Sequence, residues 1–417
     1  MAQITKLLKN KNFFFLWFGQ IISQVGDRLG QMALIGFVSL NMQGSSIEIA
    51  KALFFTILPV FLIGPVAGVY VDRWDKRKTL YTCDFLRAIL VLIIPLFLIS
   101  SKTRFLVYLL IFLIFCIGRF FIPAKLAIVV DLVETQDLLL ANSLINTTGM
   151  IAAILGFGLG GILVEWFGPK GGFYLDSLSF LISAFFIFLI GKTSGNPIRI
   201  KELASEIVNV VRKSIWQELK EGFVYFFKNR YIRFTDWIMF VLWSALGSVY
   251  VVLIVFIQKT LGSITRDLGL LITFLGTGLF LGSLLYGKFG QKFSHYKTIF
   301  ISLILSGIFL SFFSLSLIFR PSFYLAGLLT FILGLVISPI MIVSYTLIHK
   351  ISQDSMMGKT FSSLEMVMHL AFILFMFISS FLSRYVSELS ILLLVSIVFI
   401  ILGFLNLFYR SKFIWLR

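Results

Sequence analysis

The chain alternates long apolar runs with short polar, mostly basic interruptions. A run of about 20 apolar residues crosses a bilayer as a helix, which satisfies every backbone hydrogen bond internally. Twelve such spans are predicted: 13–42, 47–71, 79–99, 104–127, 139–165, 172–191, 232–258, 267–287, 296–319, 322–348, 360–385 and 389–409. Runs longer than about 20 residues fit tilted or kinked helices. Pro59, Pro65, Pro95, Pro123 and Pro339 stand within or at the ends of spans, where they mark bends. One long polar segment, 192–231, divides the series six and six. In it Ile207, Val211, Ile215, Leu219 and Phe223 recur every four residues, with Lys213, Glu218, Lys220 and Glu221 between them. That is the pattern of an amphipathic helix lying on a membrane surface. The predicted organisation is an N-terminal six-helix bundle over 1–191, a linker over 192–231 and a C-terminal six-helix bundle over 232–417.

Composition agrees and excludes alternatives. Hydrophobic residues are 59% of the chain and charged residues 13%, against about a quarter charged in soluble domains. Most of the surface therefore faces lipid, and the 48 phenylalanines fit that setting. In a soluble protein a net charge of +17 would point to nucleic acid. Here the basic residues punctuate the spans, so topology accounts for them and no nucleic-acid partner is expected. With the N-terminus in the cytoplasm, most of the 36 lysines and arginines fall on the cytoplasmic side, which places both termini there. The basic start MAQITKLLKNKN has the look of a signal peptide. The apolar run after it is too long, and no small-residue cleavage site follows, so it reads as an uncleaved first helix. Cys83 and Cys116 lie inside apolar spans with no ligand-spaced His or Cys nearby, and are expected to be packing thiols. No metal, cofactor or catalytic constellation is expected, so the chain is not read as an enzyme.

Charged residues inside spans are costly and mark function. Asp27 falls at the middle of the first span, as the one carboxylate expected at mid-depth in the N-terminal half. Gln20, Gln24, Asp27 and Gln31 form one polar stripe on that helix, expected to line a cavity between the halves. Arg28 beside it and Arg119 in the fourth span are candidate partners of Asp27 or anchors for an anionic head group. Burial of Asp27 makes it a candidate proton-coupling site, against the plainer alternative of a structural ion pair. Asp84 and Arg87, three residues apart near the cytoplasmic end of the third span, read as gating or structural groups. Glu365 and His369 share a face of the eleventh span with Ser362. They are further proton-coupling candidates, or a hydrated gate and a satisfied interface histidine.

Between the second and third spans stands Gly68-Val-Tyr-Val-Asp72-Arg73-Trp74-Asp75-Lys76-Arg77-Lys78. It resembles the loop signature of the major facilitator superfamily, including its position. The resemblance implies twelve transmembrane helices in two pseudosymmetric six-helix bundles, an all-α polytopic membrane protein working by alternating access. It also implies a cytoplasmic gate made by Gly68, Asp72, Arg73, Lys76 and Arg77 with Asp84 and Arg87 nearby. Asp75 stands where glycine is usual, a form similar to the macrolide-efflux and enterobactin-export branch. Phe13 to Gln20 with Ser23 and Gly26-Asp27, Trp216 to Gly222, and Gly358-Lys-Thr-Phe-Ser resemble the same branch. Pro123-Ala-Lys-Leu-Ala-Ile, Leu140-Ala-Asn142-Ser-Leu, Ile151 to Gly156 and Gly160-Gly161-Ile-Leu resemble bacterial lysophospholipid transporters of the same superfamily. Gly149, Gly156, Gly158, Gly160 and Gly161 resemble the exporters' antiporter motif, with Phe157 in place of its proline, and are expected to pack helices closely. Gly287-Lys288-Phe289-Gly290 reads as a degenerate second copy of the loop signature, the trace of an internal duplication.

The expected function is secondary transport, as export of an amphipathic, drug- or macrolide-like molecule, with a lysophospholipid as the alternative cargo. A non-transporting membrane receptor is the reading from another class. The expected partners are membrane lipid, the cargo and a proton or other coupling ion. A monomer in the bacterial cytoplasmic membrane is expected.

Overall fold

The computed structural model describes residues 2–41, 45–71, 74–97, 104–191, 230–351 and 357–408. The first six helices are α1 (Ala2–Lys9), α2 (Lys11–Asn41), α3 (Ser46–Leu62), α4 (Gly64–Val71), α5 (Lys76–Phe97) and α6 (Arg104–Leu132). They are followed by α7 (Leu138–Phe188), α8 (Arg230–Leu261), α9 (Arg266–Phe289) and α10 (His295–Phe319). The last three are α11 (Phe323–Ile351), α12 (Met357–Leu382) and α13 (Glu388–Phe408). Nine segments of the described residues are long and apolar enough to cross a membrane by length and composition. One of them contains α7, which holds two spans. Gly168 breaks it with φ 71° and ψ 172°, a conformation open only to glycine, and Pro169 starts the second limb. Two predicted spans fall outside the nine. In α2 the polar stripe dilutes the hydropathy. The second span is split into α3 and α4 at Ile63, just before Pro65. The chain is thus an all-α polytopic membrane protein.

The chain forms two compact units: Met1–Phe37 with Lys51–Gln217, and Val38–Ala50 with Glu218–Arg417. The amphipathic pattern at 207–223 lies outside the described residues.

In the first unit α2 is held by both limbs of α7. Gly149, Gly156 and Gly160 of the first limb lie against Gln24, the Val25–Arg28 turn and Leu29. On another face of α2, Gly19, Gly26 and Gly30 lie against Ser183, Ser179 and Asp176 of the second limb. Small residues let the backbones approach, and that contact holds bundles together where water gives no hydrophobic drive. Gly158 and Gly161 are buried as well. An apolar core of Phe13, Leu16, Leu80, Phe121, Ile128 and Ile187 closes one part of the unit. In the second unit α8 pairs with α12, α9 with α11, and α10 with α13 around Ile238, Leu303, Ile340 and Leu364. Exposed aromatic residues stand near helix ends, Phe105, Trp166 and Phe167 in the first unit and Phe319, Tyr324 and Tyr385 in the second. Trp and Tyr at helix ends suit a membrane–water interface.

Candidate functional site

Asp75 starts α5. Its Oδ1 accepts the Lys78 N–H at 3.0 Å, and its backbone oxygen accepts the Thr79 hydroxyl at 2.9 Å. This N-cap accounts for aspartate where the resembling signature has glycine. Twelve residues on, about 18 Å along the axis at 1.5 Å per residue, Arg87 enters the interior of the first unit. It is 5% exposed. Its Nη2 bonds Asp84 Oδ1 on its own helix, and its Nη1 lies 3.6 Å from Asp27 Oδ1 on α2. The guanidinium lies between two rings, 4.9 Å from the Phe121 centroid on α6 and 4.2 Å from Phe180 on α7. Asp84 is fully buried, and its second oxygen accepts the Ser183 hydroxyl at 2.6 Å. Four helices thus meet at one cation. The weakest link is Asp27: 3.6 Å is an ion contact longer than a hydrogen bond, and its side chain is 38% exposed.

Three features here go beyond what the sequence reading named. Asp27 has Arg87 as an ion partner, which the sequence reading did not give it. Asp84 and Arg87 lie inside the bundle with Asp27. Asp27 is also not alone, because Asp84 and Asp176 are buried carboxylates of the same unit, 0% and 4% exposed. Asp176 escaped notice although an acid in an apolar span is itself a signal. Asp176, Ser179 and Ser183 fall at offsets 0, 3 and 7 on one helical face, and the matching glycines of α2 fall at 0, 7 and 11.

The rest of the stripe divides. Gln20 is buried, and Gln24 covers Gly149. Arg28 donates to Gln31 Oε1 at 3.2 Å and stands 5.2 Å over the Phe157 ring. That contact gives a use to the phenylalanine found where the antiporter motif has proline. Arg119 is half-buried on α6, within electrostatic reach of Cys116.

Of the gate signature, Gly68 falls in α4, and Asp72 and Arg73 lie outside the described residues. Lys76 pairs with Asp131 of α6 at 3.0 Å. Arg77 donates to the carbonyl of Phe188, the last residue of α7, and lies over its ring. A cation on an orphan C-terminal carbonyl also complements the helix dipole. Trp74 stacks on Phe120 of α6, centroids 5.7 Å apart. The loop therefore ties α5 to the ends of both α6 and α7.

In the second unit Glu365 is exposed, and its backbone oxygen lies 2.7 Å from His369 Nδ1. The His369 ring is 5.8 Å from Trp243. The side chain of Ser362 lies outside the described residues. Asp236 on α8, 1% exposed, was also missed by the sequence reading. A cavity of about 110 Å³ lies among α8, α9, α10, α11 and α13, with walls such as Leu246, Leu271, Phe313, Ile337 and Phe399. It has room for a small hydrocarbon group and is well below the roughly 300–1,000 Å³ of sites that take a drug-sized ligand.

The apolar helices of the described residues, knit by glycine contacts and with an ion network buried in the first unit, make an all-α polytopic membrane protein of the major facilitator superfamily. Residues 5–355 match the transmembrane secretion effector family of that superfamily, and the chain belongs to this family. It is similar to the putative bacilysin exporter BacE of Bacillus subtilis strain 168, 28% identical over 77% of this chain and 76% of that one. It is also similar to macrolide efflux protein A of Streptococcus pyogenes, 22% identical over 86% of each chain. Against the uncharacterized MFS-type transporter YkuC of Bacillus subtilis strain 168 the identity is 28%, and the chain spans only about half of that relative, 51%. Among solved structures, a mutant of the nucleoside transporter NupG superposes with TM-score 0.70 at 14% identity, over 95% of this chain and 100% of that one. At that identity the likeness shows the fold alone.

Proposed function

We propose that this protein is a secondary active exporter of the bacterial cytoplasmic membrane. Both termini are cytoplasmic, and it moves an amphipathic or hydrophobic, drug- or macrolide-like molecule by alternating access coupled to protons. The observation that carries the reading is the family match over residues 5–355, whose relatives include proteins named for exporting bacilysin and macrolides. The buried network supports the coupling. Arg87 is shared between Asp84, held tightly, and Asp27, held at 3.6 Å and partly exposed. A proton on Asp27 cancels its share of the attraction and leaves the Asp84 pair intact. One limb of α2 contact is then free to change while the bundle keeps its core. Differential stability of two conformations is what coupling requires. Glu365 and His369 support the role less well, because the histidine nitrogen is engaged with its own helix backbone.

The test is flux in proteoliposomes of the purified protein, with a radiolabelled macrolide and a lysophosphatidylglycerol in parallel. Gradient-dependent macrolide movement supports the reading. Movement of the lysolipid alone overturns the cargo and identifies a lipid transporter, and movement of neither overturns transport of these two classes.

A further inference from the structure

Asp176 is 4% exposed, and its Oδ1 makes no hydrogen bond among the described residues. Its carboxyl is pressed into the seam between α2 and the second limb of α7. A methyl at Gly30 would overlap Oδ2, and one at Gly26 would overlap Ser179 and stand 3.0 Å from Asp176 Oδ1. The face that α2 presents here is bare backbone. An ionised carboxylate only accepts hydrogen bonds and has about four lone-pair sites to satisfy, whereas the neutral acid carries one donor and asks for less. The side chain of Ser179 is the one hydrogen-bonding neighbour of the carboxyl among the described residues, and a single hydroxyl does not satisfy a buried charge, which neutralises instead.

The charges around it do not compensate it. Asp27 and Arg87 lie within electrostatic reach of Asp176. Arg87 is already shared between Asp84 and Asp27. Lys125 of α6 is within reach of Asp27, and Arg28 is turned to Gln31 and Phe157. Arg119 of α6 acts on Cys116. The cation that acts on Asp176 is Arg87, and Asp84 and Asp27 already share it.

We propose that Asp176 is a second proton-carrying carboxyl of the first unit, neutral while it lies in the Gly26–Gly30 seam, and that it releases its proton to Asp27 when the seam loosens. The Asp176 O–H bond breaks with its electron pair left on the carboxylate, and the proton goes to the Asp27 carboxylate. One negative charge moves from Asp27 to Asp176, and the total is unchanged. Asp27, at 38% side-chain exposure, is the member that exchanges with solvent. This deepens the proton-coupled exporter reading, on which its use in transport rests, whereas the protonated state itself is measurable without any cargo.

The experiment is infrared spectroscopy of the purified full-length protein in lipid vesicles at neutral pH. The expected result is a protonated-carboxyl carbonyl band that shifts in D₂O, loses one component in Asp176→Asn, moves in Asp176→Glu and persists in Asp27→Asn. Asp176→Asn, isosteric with the neutral acid, is also expected to melt at the wild-type temperature. If it does not fold, the Asp176→Glu shift carries the test. No band in wild type, or a band unmoved by either Asp176 substitution, overturns the proposal. So does loss of the band when sodium chloride replaces choline chloride at fixed pH, because the occupant is then a metal cation. A band with this behaviour in a protein that moves no macrolide keeps the proton site and retires the exporter reading.

Discussion

Arg87→Met tests whether the buried network holds the first unit together. Methionine keeps most of the volume between Phe121 and Phe180 and removes the charge. Asp84 then remains fully buried with Ser183 as its recorded hydrogen-bond partner. Removing one partner of a buried ion pair costs about 3–5 kcal/mol, most of it from the stranded charge. For a unit of this size 1 kcal/mol moves the melting temperature by roughly 2–4 °C, so a drop on the order of 10 °C is expected. Adding Asp84→Asn removes the stranded charge and keeps a group that accepts from Ser183, so the double variant is expected to recover more than half of the loss. That sign of coupling is what distinguishes an ion pair from simple packing damage. The assay is thermal unfolding in detergent with a maleimide dye that fluoresces on reaching Cys83 and Cys116, thiols that are buried and half-buried in the native unit. If the single variant melts within about 2 °C of wild type, or the double is no more stable than the single, the network is not a buried load-sharing pair.

Two further substitutions test the helix contacts. Gly30→Ala drives a methyl into the Asp176 carboxyl, and such overpacking is expected to cost about 1–3 kcal/mol. Gly64→Ala opens onto free space and is expected to be neutral or slightly stabilising, so equal melting shifts for the two would remove the seam argument. Asp75→Ala deletes the α5 N-cap, with an expected loss of about 1 kcal/mol that Asp75→Asn largely spares. The thermal assay reads both, and equal losses for Ala and Asn would show that the cap is not what Asp75 supplies.

The spans were legible because length and hydropathy alone decide them in a bilayer. The bend at Gly168 was legible as a gap between spans 139–165 and 172–191, although the helix resumes within one residue. The partners of the charges were not legible. Periodicity places Asp27 on a face of α2, but which residue of another helix meets it depends on helix rotation and packing, and those follow from the glycine contacts across α2 and α7. Asp84 and Arg87 were read by their place in sequence, near a loop signature. Roughly two turns of α5 beyond Lys78 carry them past the loop and into the bundle. Asp176 and Asp236 were missed for a simpler reason: neither belongs to a motif, Asp176 standing in an apolar run and Asp236 just after Arg233 at the start of α8.

The measurement that bears most directly on the exporter reading is uphill flux of a labelled macrolide in proteoliposomes, with and without an imposed proton gradient, for wild type and Asp27→Asn. The account predicts gradient-driven accumulation in wild type. In Asp27→Asn it predicts that accumulation is lost, that exchange of labelled for unlabelled macrolide persists, and that macrolide affinity no longer changes with pH. Accumulation in wild type that ignores the proton gradient, or an Asp27→Asn protein that still concentrates its cargo, would contradict proton coupling at Asp27.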